Sequence, residues 1–290
     1  RRDVYWTDGK PVTAYDFEFA WRRLLAPETA AQYAFFLYDI VGARAFNTGA
    51  SKDVNTVGLK ALDPYTFEVK LAKPAAYFIY LTAFCPSFPQ RKDIVERYKD
   101  RWTEPENLVT NGPFKLSYWQ HEYKIELTAN EKFFEGAPKL KRIKMFMVPE
   151  ASTAFALYEN NELDFVDNRS FSTPDVERFR HSPQYKNFPL LRAYYLAFNV
   201  SKKPFDNADV RRAFALSIDR KVFPKILRRG ERPTSSWIPP ALGGGGSDSG
   251  LDFNPEEGRR LLARAGYPGG KGFPETKLLY PNREDVRLVV

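Results

Sequence analysis

Tyr194–Arg220, YYLAFNVSKKPFDNADVRRAFALSIDR, reads as a strand, a short turn and a helix. Leu191, Ala193, Tyr195, Ala197 and Asn199 fall on one face of the strand, and Tyr194, Leu196, Phe198 and Val200 on the other. Both faces are mostly apolar, the pattern of a strand covered on both sides. Pro204 blocks continuation, and Asp206 or Asn207 can cap the next helix by accepting a bond from a free amide. Val210, Ala213, Phe214, Ser217 and Ile218 then share one helical face. The stretch is a strand–helix unit of an α/β domain and carries no chemistry of its own.

Upstream, Thr13-Ala14-Tyr15-Asp16 has the form of a capping box, with Val12 and Phe17 placed as a hydrophobic staple. Phe17, Ala20, Trp21, Leu24 and Leu25 form the apolar stripe of a helix that Pro27 ends. The pattern predicts a second, aromatic helix across Ala30–Phe46, then a polar loop over Asn47–Asn55. Asp63-Pro64 sets a turn between two strands, the second half buried through Phe67, Val69 and Leu71. Pro74 opens a further apolar helix, and Asp93–Asp100 is a short charged one.

From Asn111 the period changes to two. Phe114–Leu116 and Ile125–Leu127 predict a hairpin, and Ile143, Met145 and Met147 share a face of another strand. Ser152 is placed to cap a helix running through Tyr158, and Leu163–Val166 is expected to return as a strand. Asn254 caps a last helix, with Pro255 at its first position and Gly266 just past its end. Gly243–Gly246 followed by Ser247 reads as a linker, natural or engineered.

The chain has 290 residues, 43% hydrophobic and 28% charged, the balance of a globular protein large enough for two or three domains. No stretch approaches the roughly 20 apolar residues of a membrane span. The net charge of +8 raises the possibility of nucleic acid, but Lys and Arg are scattered in single residues and pairs, without a basic run or a known nucleic-acid motif. Cys85 is the sole cysteine and is expected to be buried between Phe84 and Pro86. It permits no disulfide within the chain and fits either redox compartment. The sequence starts at Arg1 and stops at Val290 inside what read as elements, so it is expected to be truncated at both ends.

Catalytic patterns are missing. His121 and His181 lie far apart and in no metal-ligand spacing. There is no G-x-S-x-G elbow, no P-loop and no G-x-G-x-x-G after a strand. The expectation is a protein without enzymatic activity, cofactor or metal. Aromatic residues are the positive signal, at 16% of the chain. A receptor for varied ligands needs broad apolar walls and a few fixed polar anchors, although aromatics also fill cores.

Four segments in order carry a family resemblance. Tyr194–Arg220 is one. Trp6–Trp21, WTDGKPVTAYDFEFAW, is similar to W-(S/T)-(D/N)-G-x-P-(V/L)-T-A-x-D-F; Val57–Leu71, VGLKALDPYTFEVKL, resembles the strand pair that follows it; and Asn107–Leu116, NLVTNGPFKL, resembles the crossover N-(I/L)-V-(S/T)-N-G-(P/A)-(F/Y)-K-L. These are the signatures of the periplasmic oligopeptide-binding proteins of ABC importers, family 5 of the extracellular solute-binding proteins. The resemblance implies an α/β, two-lobed fold of the type II periplasmic-binding-protein kind, with an extra subdomain and here incomplete. Residues 1 to 108 would be that subdomain, 109–188 part of lobe one and 189–290 the first part of lobe two.

By the same resemblance, a peptide runs extended between the lobes, paired backbone to backbone, and the closed form is presented to a membrane permease. The protein would be a monomer without nucleic acid, periplasmic or lipid-anchored outside the cytoplasmic membrane. The family's Gly-Trp-x-x-Asp segment, whose aspartate holds the peptide amino terminus, has no counterpart here. Candidate ligand-binding residues are Tyr33, Phe36 and Phe84 from the extra subdomain, the loop Asp167-Asn168-Arg169 after an expected Glu162–Val166 strand, and Tyr194 near the hinge. Asn168 matches the family pattern; Asp167 replaces a frequent tyrosine, and Arg169 is atypical. The same fold could instead hold a nickel chelate, haem, a sugar or an antibiotic-like peptide, or serve as the sensor of a transcription regulator.

Overall fold

The computed structural model describes residues 1–167, 170–188, 190–239, 242 and 250–290. The chain divides into two compact units, Arg1–Met147 and Val148–Val290.

Unit 1 is organised around helix α1 (Ala14–Leu25). Asp16 Oδ2 accepts from the Thr13 amide at 2.8 Å and from the Thr13 hydroxyl at 3.0 Å, which fixes the start of the helix. The apolar stripe delivers Ala20, Trp21 and Leu25 into a core completed by Leu37, Ile40, Ala43, Val57, Leu59 and Phe78. Strands β1 (Leu59–Asp63) and β2 (Thr66–Val69) form the antiparallel pair about the Asp63-Pro64 turn, and Phe67, Val69 and Leu71 pack onto the same core. Arg22 and Glu18 couple helix to strand. The guanidinium donates to the carbonyls of Val54 (2.9 Å) and Leu59 (3.1 Å), while Glu18 Oε2 accepts from the Ala61 amide at 3.1 Å.

The helix expected over Ala30–Phe46 is not continuous. A 3-10 turn spans Ala34–Leu37, and helix α2 covers only Ala43–Asn47. Between them Ile40 bridges Leu71, and Gly42 turns the chain at φ +73°. A Cβ at Gly42 would lie 2.4 Å from the Thr56 carbonyl oxygen, so the close approach of the 54–57 segment breaks the helix there. The helix expected from Pro74 is one turn, α3 (Phe78–Leu81), followed by a 3-10 turn at Cys85–Ser87 and by α4 (Lys92–Tyr98). Cys85 is exposed, not buried, because the Cys85–Ser87 turn directs Ser87 inward instead.

Beyond Asn111, β3 (Phe114–Gln120), β4 (Lys124–Ala129) and β5 (Arg142–Phe146) form an antiparallel sheet in the order β3-β4-β5. Asn130, 3% exposed, anchors its edge by donating to the Gly112 carbonyl at 2.9 Å.

In unit 2, α5 (Ala151–Glu159) begins one residue before Ser152, and Glu150 occupies the cap position without a side-chain bond. Helix α6 (Thr173–Phe179) is capped by Ser172. The Phe179 ring stacks on Phe155 at 5.1 Å. Leu163–Val166 forms no strand. Nor does Tyr194–Val200. It runs without a ladder partner among the described residues, and Tyr194, Tyr195 and Leu196 are exposed. An alternating apolar run becomes a strand only where a neighbouring backbone pairs with it, and none of the described residues does. The helical half forms, but Leu216 joins its buried face, Ser217 is exposed and Ile218 lies at the C-cap outside the helix. Asn207 caps α7 (Ala208–Ser217) by accepting from the Asp209 amide, and Val210, Ala213 and Leu216 are buried. After the short α8 (Phe223–Leu227), α9 (Pro255–Arg264) starts at Asn254 as expected and packs on α7. Gly258 permits that approach, since a Cβ there would meet the Ala213 carbonyl at 3.1 Å. Arg264 forks onto Asp209 with two 2.8 Å bonds. Unit 2 ends in α10 (Glu284–Arg287). The four-glycine run lies outside the described residues.

Candidate ligand-binding site

Tyr33, Phe36 and Phe84 come together in unit 1. The Phe84 ring stands edge-on to Tyr33 at 5.1 Å and to Phe36 at 5.2 Å, and Tyr33 and Phe36 stack at 5.6 Å. This trio comes from the 3-10 turn at 34–37 and the segment before the Cys85–Ser87 turn. Two side-chain anchors hold the second segment. Trp21, 3% exposed, donates its indole N–H to the Ser87 carbonyl at 2.8 Å, and the Ser87 hydroxyl donates to the Leu81 carbonyl at 3.0 Å. The Ser87 amide in turn donates to the Phe84 carbonyl at 2.9 Å.

The cluster is not a closed core. Tyr33 is 44% exposed, Phe36 and Phe84 are half-buried, and the rings offer both faces and edges to a partner. The sequence reading missed Phe35, 54% exposed and stacked on Phe36 at 4.5 Å. The signal was present in the Ala34-Phe35-Phe36-Leu37 run. Phe35 lies in the 3-10 turn beside Phe36, and its ring extends the aromatic cluster.

Asp167 belongs to unit 2, exposed, with its carbonyl accepting from the Ser170 amide at 3.1 Å. It follows irregular chain and not the expected strand. Asn168 and Arg169 lie outside the described residues. Tyr194 is 69% exposed, and hydrogen bonding from Arg283, then Arg192, holds its phenol below the ordinary tyrosine pKa. Arg283 also forks onto Asp285, with Nε 3.1 Å from Oδ1. Tyr194 is therefore a phenol set among cations, a different environment from the apolar trio.

Among the described residues no group of three or more His, Cys, Asp or Glu side chains could hold a metal ion, and no helix is long and apolar enough to cross a membrane. His121 lies on the β3–β4 turn, stacked on Trp119 at 4.1 Å and 3.1 Å from a Glu104 carboxylate oxygen.

The sequence model of the bacterial extracellular solute-binding proteins, family 5 Middle, matches residues 1–290. This chain belongs to that family. The oligopeptide-binding protein OppA of Bacillus subtilis is 35% identical over 303 residues, covering 100% of this chain and 55% of that protein. Among solved structures, the murein tripeptide binding protein MppA of Escherichia coli superimposes with a TM-score of 0.86 at 30% identity, over 100% of this chain and 58% of the other. Haemophilus influenzae OppA, solved in complex with RPPGFSPFR, gives a TM-score of 0.74 at 31% identity, over 92% of this chain and 54% of that one. The architecture is thus that of the OppA-type binding proteins. The family 5 chain described here spans about half the length of the curated relatives it matches.

Proposed function

We propose that this chain is the peptide-capturing part of an extracytoplasmic receptor that serves an ABC importer. The observation that carries the reading is the match of residues 1–290 to a solute-binding family whose members include a receptor solved with a peptide. The half-exposed trio Tyr33, Phe36 and Phe84 supports it, because an open aromatic surface suits varied side chains without selecting one. By the family resemblance, Asp167, Asn168, Arg169 and Tyr194 are further proposed ligand contacts. They would supply polar anchors where the trio supplies apolar area.

In this reading residues 1–108 form the extra subdomain, 109–188 belong to lobe one and 189–290 to lobe two. Closure is a population shift. A peptide that touches both lobes only in the closed state draws the equilibrium toward it, and the permease reads that state. No bond is made or broken, no cofactor is needed, and the receptor works as a monomer outside the cytoplasmic membrane. Calorimetric titration with a diverse pool of short peptides tests this. The expected result is saturable heat from several unrelated sequences. Heat from a non-peptide ligand, with none from any peptide, would overturn it.

A further inference from the structure

A cavity in unit 1 lies outside the trio. It has a volume of about 320 Å³ and is lined by Phe35, Tyr38, Asp39, Arg44, Ala72 and Lys73. That size is at the lower end for small-ligand sites. Backbone bonds brace its frame. The Ala72 amide donates to the Asp39 carbonyl at 2.8 Å, the Val41 amide to the Lys70 carbonyl at 2.9 Å, and Ile40 bridges Leu71. Tyr38 is fixed from behind, donating its hydroxyl to Asn47 Oδ1 at 2.6 Å.

The charges of the lining are unbalanced. Asp39 is committed: its Oδ2 accepts from the Tyr77 hydroxyl at 2.5 Å, and its Oδ1 stands 4.0 Å from Lys73 Nζ. Arg44 lies over the Tyr38 ring, 5.9 Å from its centroid, and among the described residues no carboxylate pairs with it. The lining thus holds two cations and one carboxylate, beside the exposed aromatic wall of Phe35.

We propose that this cavity binds a carboxylate carried on an apolar or aromatic body. The Arg44 fork would take the carboxylate, which a planar guanidinium matches with two parallel bonds. Lys73, held only loosely by Asp39, adds charge from the rim, and Phe35 and Tyr38 cover the body. Phe35 is also stacked on Phe36, so the cavity adjoins the aromatic trio. The site does not depend on the peptide-receptor reading. A free organic acid and a peptide carboxyl terminus present the same chemistry.

The test is a titration of the ¹⁵N-labelled protein, followed through the backbone amides of Phe35, Tyr38 and Ala72. Four probes are used: 3-phenylpropanoate and its amide, and Gly-Gly-Phe with a free or an amidated carboxyl terminus. Saturable shifts are expected from at least one carboxylate probe, with the amides at least tenfold weaker. A shift from phenylpropanoate identifies a site open to free acids; one from Gly-Gly-Phe alone identifies a peptide-terminus site. Arg44→Gln should weaken the effective probe at least tenfold, and Lys73→Gln severalfold. Both side chains are exposed and neither is placed in the trio, so folding is kept. Absence of shifts at those amides, equal binding of acids and amides, or unchanged affinity in Arg44→Gln would overturn the assignment.

Discussion

Trp21→Phe should reveal how the aromatic trio is held. The indole is 3% exposed, edge-on to Phe67 at 5.3 Å and to Phe78 at 6.2 Å, and its N–H fills the buried Ser87 carbonyl. Phenylalanine keeps an aromatic ring in the core but removes the donor. Leaving a buried acceptor unsatisfied costs about 1–3 kcal/mol. The smaller ring adds a cavity cost of about 1 kcal/mol, well short of a full aromatic-to-alanine truncation. The total is therefore about 2–4 kcal/mol in unit 1. Urea unfolding followed by far-UV circular dichroism measures it from the shift in midpoint. Hydrogen exchange at the amides of 14–25 assigns the loss to unit 1. Trp237→Phe is the control, since Trp237 is 70% exposed and its loss should stay within about 0.5 kcal/mol. If Trp21→Phe costs under about 1 kcal/mol, or no more than Trp237→Phe, then the indole does not tie α1 to the segment that presents Phe84.

Other expectations follow from particular contacts. Arg91, whose side chain is 6% exposed, binds Asp8 and Asp93 with four bonds between 2.6 and 3.0 Å. Arg91→Met should cost about 2 kcal/mol at neutral pH, below the usual range for a broken buried pair because both carboxylates can rehydrate. Arg91, and then Lys10, hold the Asp93 carboxyl well below the usual carboxylate range. That contribution is full above the unfolded value of about 4 and fades as pH falls toward the lower folded value, so the variant should lose this acid-dependent slope in a pH series of melts. Gly42→Ala should destabilise unit 1 by more than about 1 kcal/mol in the same assay, from a positive φ together with the Thr56 clash. A spectrophotometric titration should show one phenol ionising below the ordinary tyrosine range, absent in Tyr194→Phe and returned upward in Arg283→Gln.

Much of unit 1 and both long helices of unit 2 were legible because short-range chemistry decides them. The capping box at Thr13–Asp16, the Asp63-Pro64 turn, and the Asn207 and Asn254 caps are all local, and each stands where the pattern put it. Apart from the Ser152 cap, the larger failures are tertiary. Ala30–Phe46 has helical spacing, yet the packing of Thr56 against Gly42 breaks it. Leu163–Val166 and Tyr194–Val200 alternate as strands do, yet strand formation depends on a partner that the alternation does not encode. The site follows the same division. Tyr33, Phe36 and Phe84 could be named through the family resemblance, but their packing is a long-range arrangement, and the nearby Trp21–Ser87 bond joins residues 66 apart in sequence. Phe35 and the Arg44–Lys73 cavity were not read at all, because they exist only once Ile40 bridges Leu71.

The central claim, capture of peptides, is tested most directly by native mass spectrometry of the protein purified without refolding, then of the same sample denatured. The account predicts a folded protein carrying added mass, and a set of short peptides of mixed sequence released on denaturation. A folded protein that carries no added mass, releases no peptide and takes up none from an added pool would contradict it.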